Sequence, residues 1–254
     1  MEFETKTKKA IKYIKNNFKD GQIIQRENLY NSLKEIDPDL KKSAFDWLIY
    51  ELRKEEIIRA IKRGMYILGS KPEFKPTITD KQKRIYDLLK RKKICDTICL
   101  WSTDWLHGFM IHQPMNHAII LEVDADTIES VYYFMRDKVY KKVYMLPDVQ
   151  VMQDYAMEDN EPVIISKYIT RSPVLNYKKV VVPKLEKILV DVYVDSKRFY
   201  WLQGQELQNI YNDTIDRYHI NYSTMFAYAS RRETDKRLKA FLKANFDLPG
   251  ELFK

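Results

Sequence analysis

Within the first 70 residues, apolar positions recur at helical spacing and then change to a strand pattern. The periodicity predicts helices over 26–36 and 40–55, with the break Asp37-Pro38-Asp39 between them. Apolar residues in 57–69 flank a Lys62-Arg63-Gly64 turn, which predicts two strands and a hairpin. Helix, tight turn, helix and basic hairpin are the elements of a winged helix-turn-helix, whose common use is DNA binding.

The rest of the chain follows a different pattern. Residues 71–78 contain two prolines and no apolar period, which predicts a linker. A helix is predicted next, followed by alternating strands and helices, and the chain after Val182 is predicted to be helical. The predicted class is α+β: an N-terminal winged helix-turn-helix domain over 1–70, then a larger mixed α/β domain over 79–254 with a helical C-terminal part.

The helix predicted over 40–55 has one apolar face and one polar face. The N-terminal residues of a recognition helix reach base edges, and its amide end favours anions, so the polar face supplies candidate DNA contacts. The candidates for the groove are Lys41, Lys42, Ser43, Asp46, Trp47 and Tyr50, and those for phosphate are Arg53, Lys62 and Arg63. For Trp47 the alternative is packing against the neighbouring helix.

Charge changes the picture because it is unevenly distributed. The chain has 44 Lys+Arg and 36 Asp+Glu, a net charge of +8. Residues 1–100 hold 24 Lys+Arg against 15 Asp+Glu, a net of +9, whereas residues 101–254 hold 20 against 21, a net of −1. The excess lies in the part that carries the predicted helix-turn-helix, which favours double-stranded DNA as the partner over the alternative of a solvated lysine-rich surface.

No complete catalytic pattern is present in the sequence. The chain has six glycines, no Gly-rich phosphate loop, no Ser-His-Asp order and no His-Glu-x-x-His, so we expect no catalytic residue, no metal and no cofactor. A magnesium nuclease of the Asp…Glu-x-Lys type needs a lysine where Asp124 follows Glu122. The pattern favours a solvated strand end at Glu122, and a surface ion pair between Lys187 and Asp191 on one helix.

Four short stretches resemble the AbiEi-like antitoxins of abortive-infection systems. They are the hairpin RAIKRGMY at 59–66, STDWLHG at 102–108, VPKLEKILVD at 182–191 and YASRR at 228–232. Such proteins join an N-terminal winged helix-turn-helix to a larger α/β domain. The resemblance implies a regulator that binds its own promoter and opposes a nucleotidyltransferase-like toxin.

Two other function classes stay open at this point. One is a winged-helix protein-interaction adaptor that never binds DNA, and the other is a magnesium-dependent nuclease-like enzyme that uses Glu122 and Asp124. No apolar run approaches the roughly 18 residues that a membrane span requires, and the charged N-terminus does not have the pattern of a signal peptide. We therefore expect a cytoplasmic, non-enzymatic protein without a membrane partner.

Overall fold

The computed structural model of the protein describes residues 2–69, 71–152 and 160–253. Its helices and strands group into two units. The first comprises Met1–Glu73, Arg217–Thr224 and Phe246–Lys254, and the second comprises Phe74–Asp216 and Met225–Asn245. The α+β class predicted from the sequence is confirmed. In the described residues, no helix combines the length and hydropathy that crossing a membrane requires.

The N-terminal part of the first unit consists of helices and strands that include the two predicted helices and the predicted hairpin. These are α1 (Glu2–Asn17), β1 (Ile23–Gln25), α2 (Arg26–Lys34), α3 (Lys42–Lys54), β2 (Ile58–Lys62) and β3 (Met65–Leu68). The strands form an antiparallel sheet in the order β1-β3-β2. Gly64, in the β2–β3 turn, has φ +74°, a backbone conformation that glycine adopts at little cost. Apolar side chains at i, i+3 and i+4 of the helices, such as Leu29 and Leu33, form one core with Leu52 and Ile58.

The second unit begins with a helix that is well capped. Thr79 and Gln82 form a reciprocal capping box at the start of α4. From residue 80 onward the helices and strands are α4 (Asp80–Lys92), β4 (Ile98–Ser102), β5 (Ile119–Val123), α5 (Ile128–Lys138), β6 (Val143–Met145), α6 (Val149–Val151), β7 (Val163–Lys167), β8 (Val174–Tyr177), β9 (Val180–Pro183), α7 (Leu185–Val194), α8 (Gln205–Arg217), α9 (Tyr222–Arg231) and α10 (Asp235–Asn245). Short 3₁₀ helices span Thr103–Phe109, Ala125–Thr127, Tyr200–Leu202 and Gly250–Phe253.

A four-stranded sheet lies at the centre of the second unit. Its order is β4-β5-β7-β6, with β4 antiparallel to β5 and the remaining pairs parallel. All five residues of β4 and all five of β5 are buried, as expected when both faces of a sheet are covered. Glu122 lies on β5, so this burial places a carboxylate inside the unit.

Two features of the second unit differ from the sequence prediction. Strands β8 and β9 form a two-residue hairpin that was not predicted, because its turn residues Lys178 and Lys179 take φ of +49° and +69° without the usual glycine or asparagine. The chain after Val182, predicted to be helical, is interrupted between α9 and α10 at Glu233, where φ is +54°.

Candidate functional site

Helix α3 presents a polar face to solvent in the first unit. Its side chains Phe45, Leu48 and Leu52 are buried, which fixes the opposite face outward. The predicted contacts on the helix are all exposed: Lys41, Lys42, Ser43, Asp46, Trp47, Tyr50 and Arg53. The first turn contains no acidic residue, and the N-cap Lys41 makes no side-chain capping bond. The amide end of α3 and its two lysines thus form a positively charged start that favours an anion.

Asp46 on this face is engaged with an arginine that the sequence analysis did not single out. Its carboxylate forms an ion pair with Arg26, the first residue of α2. The Arg26 guanidinium also donates to the Tyr66 hydroxyl at 3.1 Å and lies 4.8 Å from the centroid of the Phe45 ring. Burial opposes the charged form of Arg26, but the contacts to Tyr66 and Asp46 outweigh it and raise the pKa of the guanidinium.

The Arg26–Asp46 pair lines an open cleft of about 500 Å³ beside α3. The cleft is bounded by the start of α2, by α3 and by the β2–β3 turn, and Lys42 and Gly64 line it as well. Arg26 and Lys42 supply hydrogen-bond donors to this cleft, while the carboxylates of Glu27 and Asp46, which also line it, balance their charge. Asp46 therefore positions Arg26, in addition to being exposed on the predicted contact face.

Trp47 lies beside a second, apolar groove of about 180 Å³. The groove is lined by Lys6, Lys9, Ala10, Leu33, Ile36, Asp37, Leu40, Ala44, Trp47 and Leu48. Trp47 keeps 38% of its surface exposed and Ile36 keeps 41%. Trp47 thus lines a groove together with residues of neighbouring helices and keeps part of its surface in solvent.

The two cations at the tip of the β2–β3 hairpin, Lys62 and Arg63, have different surroundings. The Lys62 ammonium donates to the backbone carbonyls of Glu251 and Leu252, each at 3.3 Å. The Arg63 amide donates to Ser223 Oγ at 3.1 Å, while the Arg63 side chain is exposed. Of the two predicted phosphate contacts in the hairpin, Arg63 has the exposed side chain, and Lys62 binds the C-terminal 3₁₀ helix.

A buried cluster of charges occupies the second unit. Lys187 Nζ on α7 lies 2.6 Å from Glu122 Oε1 on β5 and 2.5 Å from Asp191 Oδ2. The other Asp191 oxygen accepts from the Tyr228 hydroxyl at 2.8 Å and from Arg232 at 3.0 Å. Lys187 is 1% exposed. The expected solvated strand end and surface ion pair are therefore wrong, because both faces of the sheet are covered and α7 is buried along most of its length.

The electrostatics of the cluster fit a closed ion network. Burial raises the pKa of Glu122 despite the nearby Lys187. Burial disfavours the charge of Lys187 too, but Asp191 and Glu122 outweigh it and hold the lysine pKa well above its usual range. The adjoining cavity measures about 20 Å³, which is space for a single water molecule and far below the volume of a substrate. The arrangement joins α7, β5 and the α9–α10 region.

Glu122 and Asp124, the residues of the nuclease-like alternative, have different partners in the second unit. Glu122 binds Lys187, whereas Asp124 Oδ2 accepts from the backbone amide of Thr97 at 2.7 Å. Across residues 2–69, 71–152 and 160–253, no group of three or more His, Cys, Asp or Glu side chains is placed to hold a metal ion.

A loop in the second unit displays apolar side chains while its backbone is held in place. Ile111 is 72% exposed and Met115 is 97% exposed. The Glu206 carboxylate accepts from the amide of Ile111 at 3.1 Å, and from the amide and ring of His112 at 3.0 and 2.7 Å. Burial acts to raise the pKa of Glu206, but these hydrogen bonds outweigh it and lower the pKa. The loop presents two large apolar groups from a fixed base.

Comparison with known proteins places the chain in a family. Residues 44–247 match the sequence profile described as "Family of unknown function (DUF6577)". The chain belongs to DUF6577. The DUF6577 match begins within α3 and ends just after α10, so it includes parts of both units. The crystal structure of the Rv2827c protein from Mycobacterium tuberculosis is similar with a TM-score of 0.36 and 15% sequence identity, covering 98% of this chain and 80% of that one. No curated protein matches the chain.

Proposed function

We propose that this DUF6577 protein is a DNA-binding transcriptional regulator whose first unit is a winged helix-turn-helix. The observation that carries the proposal is the exposed, cationic start of α3, where Lys41 and Lys42 flank an uncapped helix end. The β1-β3-β2 sheet and its hairpin after α3 support the same interpretation. In this proposal α3 enters the major groove, and Arg53 and Arg63 contact phosphate.

Tyr50 tests the groove assignment because it is an aromatic residue that is 62% exposed on α3. We expect Tyr50→Ala to weaken binding to the preferred sequence by about 1–3 kcal/mol while binding to unrelated DNA changes little. The measurement is a mobility-shift titration on duplex DNA from upstream of the protein's own gene and on a scrambled duplex of equal length.

Tyr133→Ala is the matched control, since Tyr133 is a 52% exposed tyrosine on α5 in the second unit. If the two substitutions changed DNA affinity equally, the assignment of Tyr50 to the major groove would be wrong. Absence of any shift with the unaltered protein at low salt would overturn the DNA-binding function and favour the adaptor alternative.

We further propose that the regulator acts as an autorepressor and antitoxin whose partner is a nucleotidyltransferase-like toxin. The AbiEi-like resemblance implies this partner, and the exposed apolar pair Ile111 and Met115 supports a protein-binding surface. The experiment is co-expression with a neighbouring nucleotidyltransferase-like protein. Failure of the two proteins to copurify would contradict the antitoxin role and leave the DNA-binding proposal intact.

Glu206 is expected to hold the loop that carries Ile111 and Met115 in place, and to do so in a pH-dependent way. Glu206→Ala removes the acceptor of the Ile111 and His112 amides, so their hydrogen exchange should accelerate about fivefold, in line with a hydrogen bond worth about 1 kcal/mol. Because the folded pKa of Glu206 is lowered, its stabilising effect exists above the ordinary pKa and is lost as pH falls through the folded value.

Exchange measured by NMR, after correction for intrinsic rates, should therefore show acid loss of protection in the unaltered protein and a flat profile in the variant. Gln205→Ala is the control, since the exposed Gln205 side chain donates to Asn209 and not to the loop. Unchanged protection in Glu206→Ala would show that the loop is held by other contacts.

A further inference from the structure

Helix α4 in the second unit carries a stripe of cations on the side opposite its core. Its buried apolar side chains are Ile85, Tyr86 and Leu89. The exposed cations are Lys83, Arg84, Lys90, Arg91, Lys92 and Lys93. Seven residues separate Lys83-Arg84 from Lys90-Arg91, which is close to two helical turns, so the two pairs share one face about 10 Å apart along the axis.

Local structure accounts for some of these charges and not for others. Cations near Lys90 favour the C-terminal end of the helix dipole, but Lys83 and Arg84 lie in the first half of the helix, where the dipole gives them no such stabilisation. Asp87 stands four residues from both Lys83 and Arg91, yet within the described residues it forms an ion pair with neither.

Lys81 of the same helix, by contrast, forms an ion pair and a cation–π contact within the second unit. Its ammonium lies 2.7 Å from Glu161 Oε2 and 3.8 Å from the centre of the Tyr140 ring. No comparable acidic partner is present for Lys83, Arg84 or Arg91 in the part of the chain that the structure describes. These three cations are available to an external anion.

We propose that the exposed face of α4 is a second nucleic-acid site, which binds the phosphate backbone of duplex DNA without reading its sequence. The excess of positive charge is larger on this helix than on α10: residues 80–93 hold seven Lys+Arg against two Asp+Glu, α10 holds four against one, and residues 101–254 as a whole hold 20 against 21. Duplex DNA carries about one charge per 1.7 Å of its axis, which suits cations repeated along one helix face. The site rests on the proposed DNA-binding function and adds a non-specific contact in the second unit.

The test replaces Lys83, Arg84, Lys90 and Arg91 together by Gln, a good helix former that leaves the buried side of α4 intact. The control variant replaces Lys236, Arg237, Lys239 and Lys243 of α10 by Gln, which removes the same charge from another helix of the second unit. Circular dichroism and thermal melting establish that both variants are folded. Affinity is then measured between about 50 and 200 mM salt on the upstream duplex and on the scrambled duplex.

The α4 variant is expected to flatten the slope of log affinity against log salt by about two to four, equally on both duplexes, while the α10 variant follows the unaltered protein. An α4 variant that behaves like the α10 variant would overturn the second site, even if Tyr50→Ala still relaxes sequence preference and so upholds the proposed function. If the unaltered protein binds anionic vesicles and no duplex at all, both proposals are overturned.

Discussion

Replacing Lys187 with Met is expected to destabilise the second unit by about 3–5 kcal/mol. The substitution keeps much of the side-chain volume but removes the cation that lies 2.6 Å from Glu122 and 2.5 Å from Asp191. Both carboxylates are buried, so each loses its nearest countercharge without gaining water. Arg232 lies 3.0 Å from Asp191 and still partly neutralises that carboxylate in the variant. The loss of Lys187 therefore affects Glu122 more than Asp191.

Lys184→Met is the matched control, because Lys184 is an exposed lysine at the N-cap of the same helix α7. Its substitution should change stability by no more than about 0.5 kcal/mol. Stability is measured by amide hydrogen exchange of β5 and α7, because with two units a single unfolding transition is not guaranteed. Similar stabilities for the two variants would show that the cluster does not depend on the Lys187 charge.

The cost of Lys187→Met should also shrink in acid. Burial already raises the pKa of Glu122, and loss of the lysine raises it further. A carboxyl group whose folded pKa lies above its unfolded value binds more protons when folded, so folding becomes more favourable as pH falls toward the unfolded value, about 4.5. The stability difference between variant and unaltered protein should therefore narrow from neutral pH to that range.

Replacing Leu252 with Ala is expected to destabilise the first unit by about 2–5 kcal/mol. Leu252 is fully buried although it lies almost at the end of the chain, in the 3₁₀ helix Gly250–Phe253. Its carbonyl, together with that of Glu251, accepts from Lys62 on β2. Loss of the packed side chain should loosen this segment and with it the hold on the hairpin.

Hydrogen exchange of β2 and β3 measures this effect, and mobility shifts report its consequence for DNA binding. Glu251→Ala is the control, because the Lys62 contact uses the main-chain carbonyl of Glu251 and survives the substitution. If Leu252→Ala left exchange in β2 and β3 as slow as Glu251→Ala does, the C-terminal segment would have no part in fixing the hairpin.

Much of the first unit was predictable because its determinants are local. Helices α2 and α3 follow from apolar residues at helical spacing around a Pro38 break, and the β2–β3 turn follows from Gly64. The outward face of α3 follows from the same periodicity, since burying Phe45, Leu48 and Leu52 leaves the intervening positions exposed. The linker prediction over 71–78 lies around the boundary between Glu73 and Phe74.

The features that were missed depend on contacts between residues distant in the sequence. Arg26 was not predicted as a site residue, because the partners that hold its guanidinium, Asp46 and Tyr66, lie 20 and 40 residues away. The two carbonyl partners of Lys62 were not predicted either, because they lie 189 and 190 residues further along the chain. No local sequence pattern predicts that Arg217–Thr224 and Phe246–Lys254 group with the first unit.

The elements around the β2–β3 hairpin, the α+β class and the basic character of the first 100 residues could be predicted from the sequence, because periodicity, turn residues and charge counts are properties of short stretches. The assembled fold makes Glu122, Lys187 and Asp191 a buried network, because a carboxylate on a strand is solvated or enclosed according to what covers the sheet. It also decided the break at Glu233, next to the point where Arg232 binds Asp191. Burial depends on which helices and strands pack together, so it cannot be read from the local sequence around a residue.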